Sequence, residues 1–241
     1  MANRELKILE KIFNISYEIK NPKKGKNIII LHGWGSNKEI MKQAFFSKFD
    51  EFTQVYIDMP GFGNSTNNYI LKTDDYAKII DKFLESINIK KDVIIGHSFG
   101  GKVATLLKPK LLVLLSSAGI LEKKPISVKM KIAIFKLFKF FGGSKLYSLF
   151  ASKDVEGMSQ NMYETFKNVV DENFEKSFEN FSEKALIFWG KDDKATNLKS
   201  GEKISKLIKN SRFFPLDGDH YFFLDNKDKI AQIIEKECGR S

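Results

Sequence analysis

Serine, histidine and a carboxylate can together carry out acyl transfer, and this chain offers each in a setting that suits the task. The apolar run Asp92-Val93-Ile94-Ile95 is followed at once by Gly96-His97-Ser98-Phe99-Gly100-Gly101, a G-x-S-x-G pattern. A buried strand that ends there must turn so tightly that glycines are needed on both sides of the serine. Such a turn lifts the Ser98 hydroxyl clear of the backbone, between the end of a strand and the start of a helix. Position is what makes it a nucleophile, because a hydroxyl at its ordinary pKa is inert. A general base is then required, and the chain has three histidines, His32, His97 and His220. His97 adjoins the serine with its side chain directed elsewhere. His32 belongs to His32-Gly33-Trp34-Gly35, which follows the apolar run 27–31. His220, in Leu216-Asp217-Gly218-Asp219-His220-Tyr221, is the one not tied into another motif, so it is the expected base. The orienting carboxylate is expected after the apolar run 185–189, in Gly190-Lys191-Asp192-Asp193; the spacing from the glycine favours Asp193, with Asp192 as the alternative.

These residues need a scaffold that delivers strand ends to one place. Residues 11–20 alternate apolar and polar, as a half-exposed edge strand does. Further strands are expected at 27–31, 53–57, 92–95, 111–115, 185–189 and 211–216. Continuous apolar runs such as Leu111-Leu112-Val113-Leu114-Leu115 suit strands covered on both faces. Helices are expected near 38–48, 73–87, 98–107, 198–208 and 225–237, the second capped by Thr73 or Asp74. Pro109 keeps the third short. Strands alternating with helices predict an α/β protein with a mostly parallel sheet.

Taken in order, the motifs resemble those of α/β-hydrolase-fold serine hydrolases, over nearly the whole chain. His32-Gly33-Trp34-Gly35 resembles that family's H-G-x-G loop, and Asp58-Met59-Pro60-Gly61-Phe62-Gly63-Asn64-Ser65 its D-x-P-G-x-G-x-S turn. The order Ser98, Asp193, His220 is the one the resemblance implies for the triad. Charge that builds on a carbonyl oxygen during attack needs backbone donors. The N–H of Phe99, at the start of the helix, is one; the resemblance implies that of Trp34 as the second. His32, Gly33 and His97 are candidates for the substrate pocket. The resemblance further implies a core from 1–120 and 184–241 with a helical cap inserted at 121–183.

Within 121–183, lysines crowd the first half and acidic residues the second, and 132–141 is rich in large apolar side chains. This pattern fits a packed cap with solvated lysines, or alternatively an apolar, basic lid that suits an acyl chain or an anionic partner. The net charge of +10 over 241 residues does not indicate nucleic acid, because the lysines are scattered and only Arg4, Arg212 and Arg240 supply guanidinium. No run of about 18 apolar residues predicts a membrane span. The lone Cys238 and the missing leader pattern predict a cytoplasmic protein, and no cofactor or metal is expected. The expected activity is hydrolysis of a carboxylic ester or thioester, with a small acyl substrate. A resemblance to esterases of pimeloyl methyl esters adds an acidic acyl carrier protein as an alternative partner, although that group usually has tryptophan at the place of His97. Hydrolases of carbon–carbon bonds in ring-cleavage products share the resemblance, but they use a cationic group, commonly arginine in or under the cap, and 121–183 has no arginine. A hydrolase-like protein that only binds is the remaining alternative.

Overall fold

The computed structural model describes residues 2–8, 10–121 and 158–239. Eight strands form one sheet: β1 (Ala2–Ile8), β2 (Lys11–Lys20), β3 (Asn27–Leu31), β4 (Thr53–Ile57), β5 (Val93–His97), β6 (Leu111–Leu115), β7 (Lys184–Gly190) and β8 (Ser211–Leu216), in the order β1-β2-β4-β3-β5-β6-β7-β8. β1 and β2 are antiparallel to their neighbours, and all pairings from β4 to β8 are parallel. The strand–helix alternation predicts the mostly parallel sheet, and the architecture is the α/β-hydrolase fold that the motif resemblance implies.

The helices are α1 (Lys38–Phe45), α2 (Thr73–Ser86), α3 (Phe99–Leu106), α4 (Gln160–Val170), α5 (Glu175–Glu179), α6 (Leu198–Leu207) and α7 (Lys227–Cys238). Successive strand residues point to opposite faces, so an uninterrupted apolar strand serves two cores. Ile29, Leu31, Ile94, Leu112, Leu114 and Ile187 pack with residues of α2, α3 and α6. Their neighbours Ile28, Ile30, Ile95, Val113, Leu186 and Phe188 pack with residues of α1 and α7.

Two expectations are corrected. Residues 11–20 are not an edge: β2 pairs with β1 on one side and β4 on the other. Its alternation sets an apolar face, with Phe13 and Ile15 buried, against a polar face on which Asn14, Glu18 and Lys20 are half-buried, while β1, unexpected from a run as charged as Arg4-Glu5-Leu6-Lys7, is the true edge. Charged side chains suit that place, because they discourage further strand pairing. Thr73 and Asp74 do not cap α2, since both are already helical; Lys72 precedes them, and its N–H donates to the Asp75 carboxylate at 2.8 Å.

The chain leaves β3 for β4 on one side and returns to β5 on the other. Such a reversal of strand order opens a crevice at the carboxyl ends of the strands, where His32-Gly33-Trp34 and Ser98 lie. Between β6 and β7 the described residues 158–183 contain α4 and α5 and no strand. The lysine-rich and phenylalanine-rich part of the expected cap, from 122 to 157, lies outside the described residues.

Candidate active site

Ser98 follows β5 directly and has a φ of 50° and a ψ of −115°, a conformation that costs a residue with a Cβ real energy. The turn is held from three sides. The Ser98 N–H donates to the Leu115 carbonyl at 3.1 Å, and the Ser98 carbonyl accepts from Gly101 at 3.0 Å and Ala118 at 3.1 Å. The flanking glycines are sterically required. A Cβ on Gly96 would run into the Gly100 carbonyl, and one on Gly100 would sit 2.5 Å from the His32 carbonyl oxygen. Together they let α3 start hard against the ends of β3 and β5.

The loop after β3 is pinned as firmly. His32 is fully buried; its Nδ1–H donates to the Gly33 carbonyl at 2.7 Å, and its Nε2 accepts from the Met59 N–H at 3.0 Å. Burial pushes its pKa down to about 4, so it is neutral in both roles. Asp58 takes the Lys38 N–H at 2.7 Å, the buried Lys38 ammonium at 2.6 Å and the Asn64 N–H at 3.0 Å. Gly63, at φ 55°, has no room for a Cβ against that carboxylate. The D-x-P-G-x-G-x-S turn is thus a brace for the H-G-x-G loop. Among the described residues, neither the Trp34 nor the Phe99 amide is used in a hydrogen bond, and Phe99 opens α3, where amides lack intrahelical partners.

Asp193 and His220 meet at the ends of β7 and β8. His220 Nδ1 lies 2.8 Å from Asp193 Oδ2. The Ala195 and Thr196 amides donate to Asp193 Oδ1 at 2.8 and 2.9 Å, and the Thr196 hydroxyl to Oδ2 at 3.0 Å. Burial disfavours this carboxylate's charge, but the bonds from His220 and Thr196 outweigh it and hold the pKa at about 2. A carboxylate only accepts, so Nδ1 carries the proton and Nε2 keeps its lone pair. Asp192 is exposed, and its N–H donates to the Gly218 carbonyl at 3.0 Å.

Ser98, His220, Trp34 and Phe99 line one cavity of about 620 Å³, along with Gly33, His97 and residues 117–121, 169–171 and 195–196. No hydrogen bond joins Ser98 Oγ to His220; unliganded sites often hold this pair loosely. His32 is a correction: it is absent from the lining, because its ring is turned to the Met59 amide beneath it. The Trp34 ring packs between Phe62, Phe99 and Phe166 of α4, at centroid distances of 4.8, 5.5 and 5.4 Å.

Several contributors escaped sequence reading. Thr196 could have been found as a hydroxyl three residues beyond an aspartate, a common local pairing. Lys102, Ser116 and Tyr221 carry no motif. Lys102 is buried in the cavity wall, with its ammonium on the Val169 carbonyl at 2.8 Å and Glu172 at 2.6 Å. Ser116 has a φ of 44° at the end of β6 and accepts the Thr196 hydroxyl on its carbonyl at 3.2 Å. Among the described residues no cluster of histidine, cysteine and acidic side chains could hold a metal.

A family profile described as the alpha/beta hydrolase fold matches residues 26–143. The chain is 28% identical over 187 residues to the pimeloyl-[acyl-carrier protein] methyl ester esterase of Pseudoalteromonas atlantica; the match covers 78% of this chain and 60% of that protein, short of two thirds. It is 24% identical to an uncharacterized hydrolase of Bacillus subtilis, covering 84% of this chain and 86% of that one. Among solved structures, an esterase from Exiguobacterium antarcticum superposes with a TM-score of 0.77 at 19% identity, over 98% of this chain and 99% of that one. A meta-cleavage product hydrolase from Pseudomonas fluorescens gives 0.73 at 16% identity, over 98% and 97%. At these identities the structural likeness speaks to fold alone. By its sheet order, its elbow and its relatives, this chain is an α/β-hydrolase-fold protein similar to esterases.

Proposed function

We propose that the protein is a serine hydrolase of carboxylic esters that works through an acyl-enzyme on Ser98. The observation that carries this reading is the 2.8 Å contact of His220 Nδ1 with Asp193, which leaves the His220 Nε2 lone pair in the same cavity as the strained Ser98. His220 Nε2 takes the Ser98 proton as Oγ attacks the carbonyl carbon. The C=O electron pair moves onto oxygen, where the Phe99 and Trp34 amides receive it. The intermediate collapses with departure of the alkoxide, which takes the proton from His220. Water, deprotonated by the same nitrogen, then attacks the acyl-enzyme and returns the serine. Asp193 holds the imidazole in the required tautomer and balances its transient charge. From the described part of the proposed cap at 121–183, Phe166, Val169, Val170 and Asp171 contribute to the wall of this cavity.

A p-nitrophenyl ester series from acetyl to dodecanoyl, on wild type and Ser98→Ala, tests the reading alongside fluorophosphonate labelling read by mass spectrometry. Ser98-dependent turnover with the label on Ser98 is expected. Turnover that survives Ser98→Ala would sink it.

A finer reading follows from the Pseudoalteromonas relative: the ester is carried on an acyl carrier protein, whose acidity suits a net charge of +10. Activity on a carrier-linked methyl ester that falls with added salt is the expected result. Carbon–carbon hydrolysis is disfavoured, because Lys102, the one cationic side chain among the described lining residues, is taken by Glu172 and the Val169 carbonyl. A lone cysteine, which cannot form an intramolecular disulfide, suits the reducing cytoplasm.

A further inference from the structure

His97 is the last residue of β5 and is bonded directly to Ser98. Its ring is 1% exposed and packs against His220, Tyr221 and Phe223 at centroid distances of 4.6, 5.4 and 4.9 Å. One ring nitrogen is employed: Nε2 lies 3.1 Å from the His220 backbone carbonyl, which can only accept, so Nε2 carries the hydrogen. The other, Nδ1, is a bare acceptor with no partner, shut in against Gly33, where a Cβ would stand 3.0 Å away. An orphaned buried acceptor is costly. A phenyl ring would fill the same space without that cost. The only use of an imidazole here is therefore its Nε2–H.

We propose that His97 is a positioning residue, which ties the backbone of the serine turn to the backbone of the loop that carries His220. The inference rests on the serine-hydrolase reading and extends it. Ser98 and His220 come from distant parts of the chain, with 123 positions between His97 and His220. Asp193 fixes the imidazole of His220 from its far side, and nothing in that bond sets the distance to Ser98. The His97 Nε2–H does so, by holding the His220 carbonyl a fixed reach from the residue next to the nucleophile. Burial pushes the His97 pKa down to about 3, so the link stays neutral and places no charge beside the base.

The test compares His97→Phe, which keeps the ring and loses the donor, with His97→Gln, whose side-chain amide can place an N–H at a similar reach. Readouts are kcat and KM on a p-nitrophenyl ester, and the rate of fluorophosphonate labelling of Ser98. His97→Phe is expected to lower kcat and the labelling rate by about 10- to 100-fold, with KM within about 3-fold, as a small misplacement of reacting groups does. His97→Gln is expected to recover most of that loss. A His97→Phe enzyme as fast as wild type, or a Gln variant as slow as the Phe variant, overturns the inference. Should the Phe variant not fold, His97→Met takes its place as the donor-less partner of His97→Gln. Ser98→Ala run in parallel separates the two failures. If it is inactive while His97→Phe is normal, only the positioning role falls; if it turns over substrate, the nucleophile assignment falls and the inference with it.

Discussion

Ser98 sits at φ 50° because its neighbours leave it no other course, and the pair Asp193 and His220 shows how one hydrogen bond can select a role. Two adjacent aspartates differ in everything but type. Asp193 is buried among donors, whereas Asp192 is exposed and holds only a turn by its amide. Asp193→Asn is expected to lower kcat by about 10³- to 10⁴-fold, because the amide favours the wrong imidazole tautomer. Asp192→Asn should leave kcat near wild type, and steady-state kinetics on the two variants decides the assignment. Trp34 offers a complementary check. Its indole Nε1–H is buried without an acceptor, and the proposed mechanism uses only its backbone amide. Trp34→Phe is therefore expected to retain kcat; a loss of several orders of magnitude would give the side chain a role in the chemistry.

The segments around these residues are joined by polar ties that are buried or half-buried. α4 docks through Thr165, whose hydroxyl accepts the Leu71 N–H at 3.0 Å, and Asn161, which donates to the Asn67 carbonyl at 2.9 Å. Behind it, Glu172 takes the Lys102 ammonium at 2.6 Å and the Thr73 hydroxyl at 2.5 Å. That carboxylate joins the turn after α4 to both α2 and α3. Burial lowers the Lys102 pKa, and the bond with Glu172 works against that shift. Glu172→Gln leaves a buried ammonium without its counter-charge. It is expected to destabilise the fold by about 1–3 kcal/mol, less than a fully buried pair because Glu172 is partly exposed. Thermal unfolding would register this as a lower Tm, whereas an unchanged Tm would mean that the ammonium finds another acceptor.

Acid should weaken the whole protein progressively below about pH 6.5. His32 and His97 are buried neutral, with pKa values pushed down to about 4 and about 3, whereas an unfolded imidazole titrates at 6.5. Below pH 6.5 the unfolded chain binds protons that the folded chain refuses, so stability falls as pH falls. The slope reaches about 1.4 kcal/mol per pH unit for each imidazole. Asp193 acts lower on the scale: its contribution is full above pH 3.8 and is lost as pH falls toward 2. Urea midpoints from pH 7 to pH 4 should decline steadily, with a shallower decline in His97→Phe. A flat profile would show that one or both rings gain a proton in the folded state.

The motifs carried much of this without coordinates. The tight turn at Ser98 is local, since Gly96 and Gly100 are needed wherever a strand turns so sharply into a helix, and the apolar runs at 27–31, 92–95, 111–115 and 185–189 suit strands covered on both faces. The proposed nucleophile, the proposed base and a choice between two acids could thus be named from the sequence. Three things were decided only by packing. The interior place of 11–20 depends on β1, whose charged residues look like a loop until β2 pairs with them. The burial of His32 beneath the cavity depends on the Met59 amide, 27 positions away. The link from His97 to the His220 carbonyl spans 123 positions. Local sequence determines which conformations a turn can adopt and which side chains can do chemistry. Which donor meets which acceptor across such separations is set by the sheet order, because only the folded sheet brings the carboxyl ends of β3, β5, β7 and β8 to one crevice.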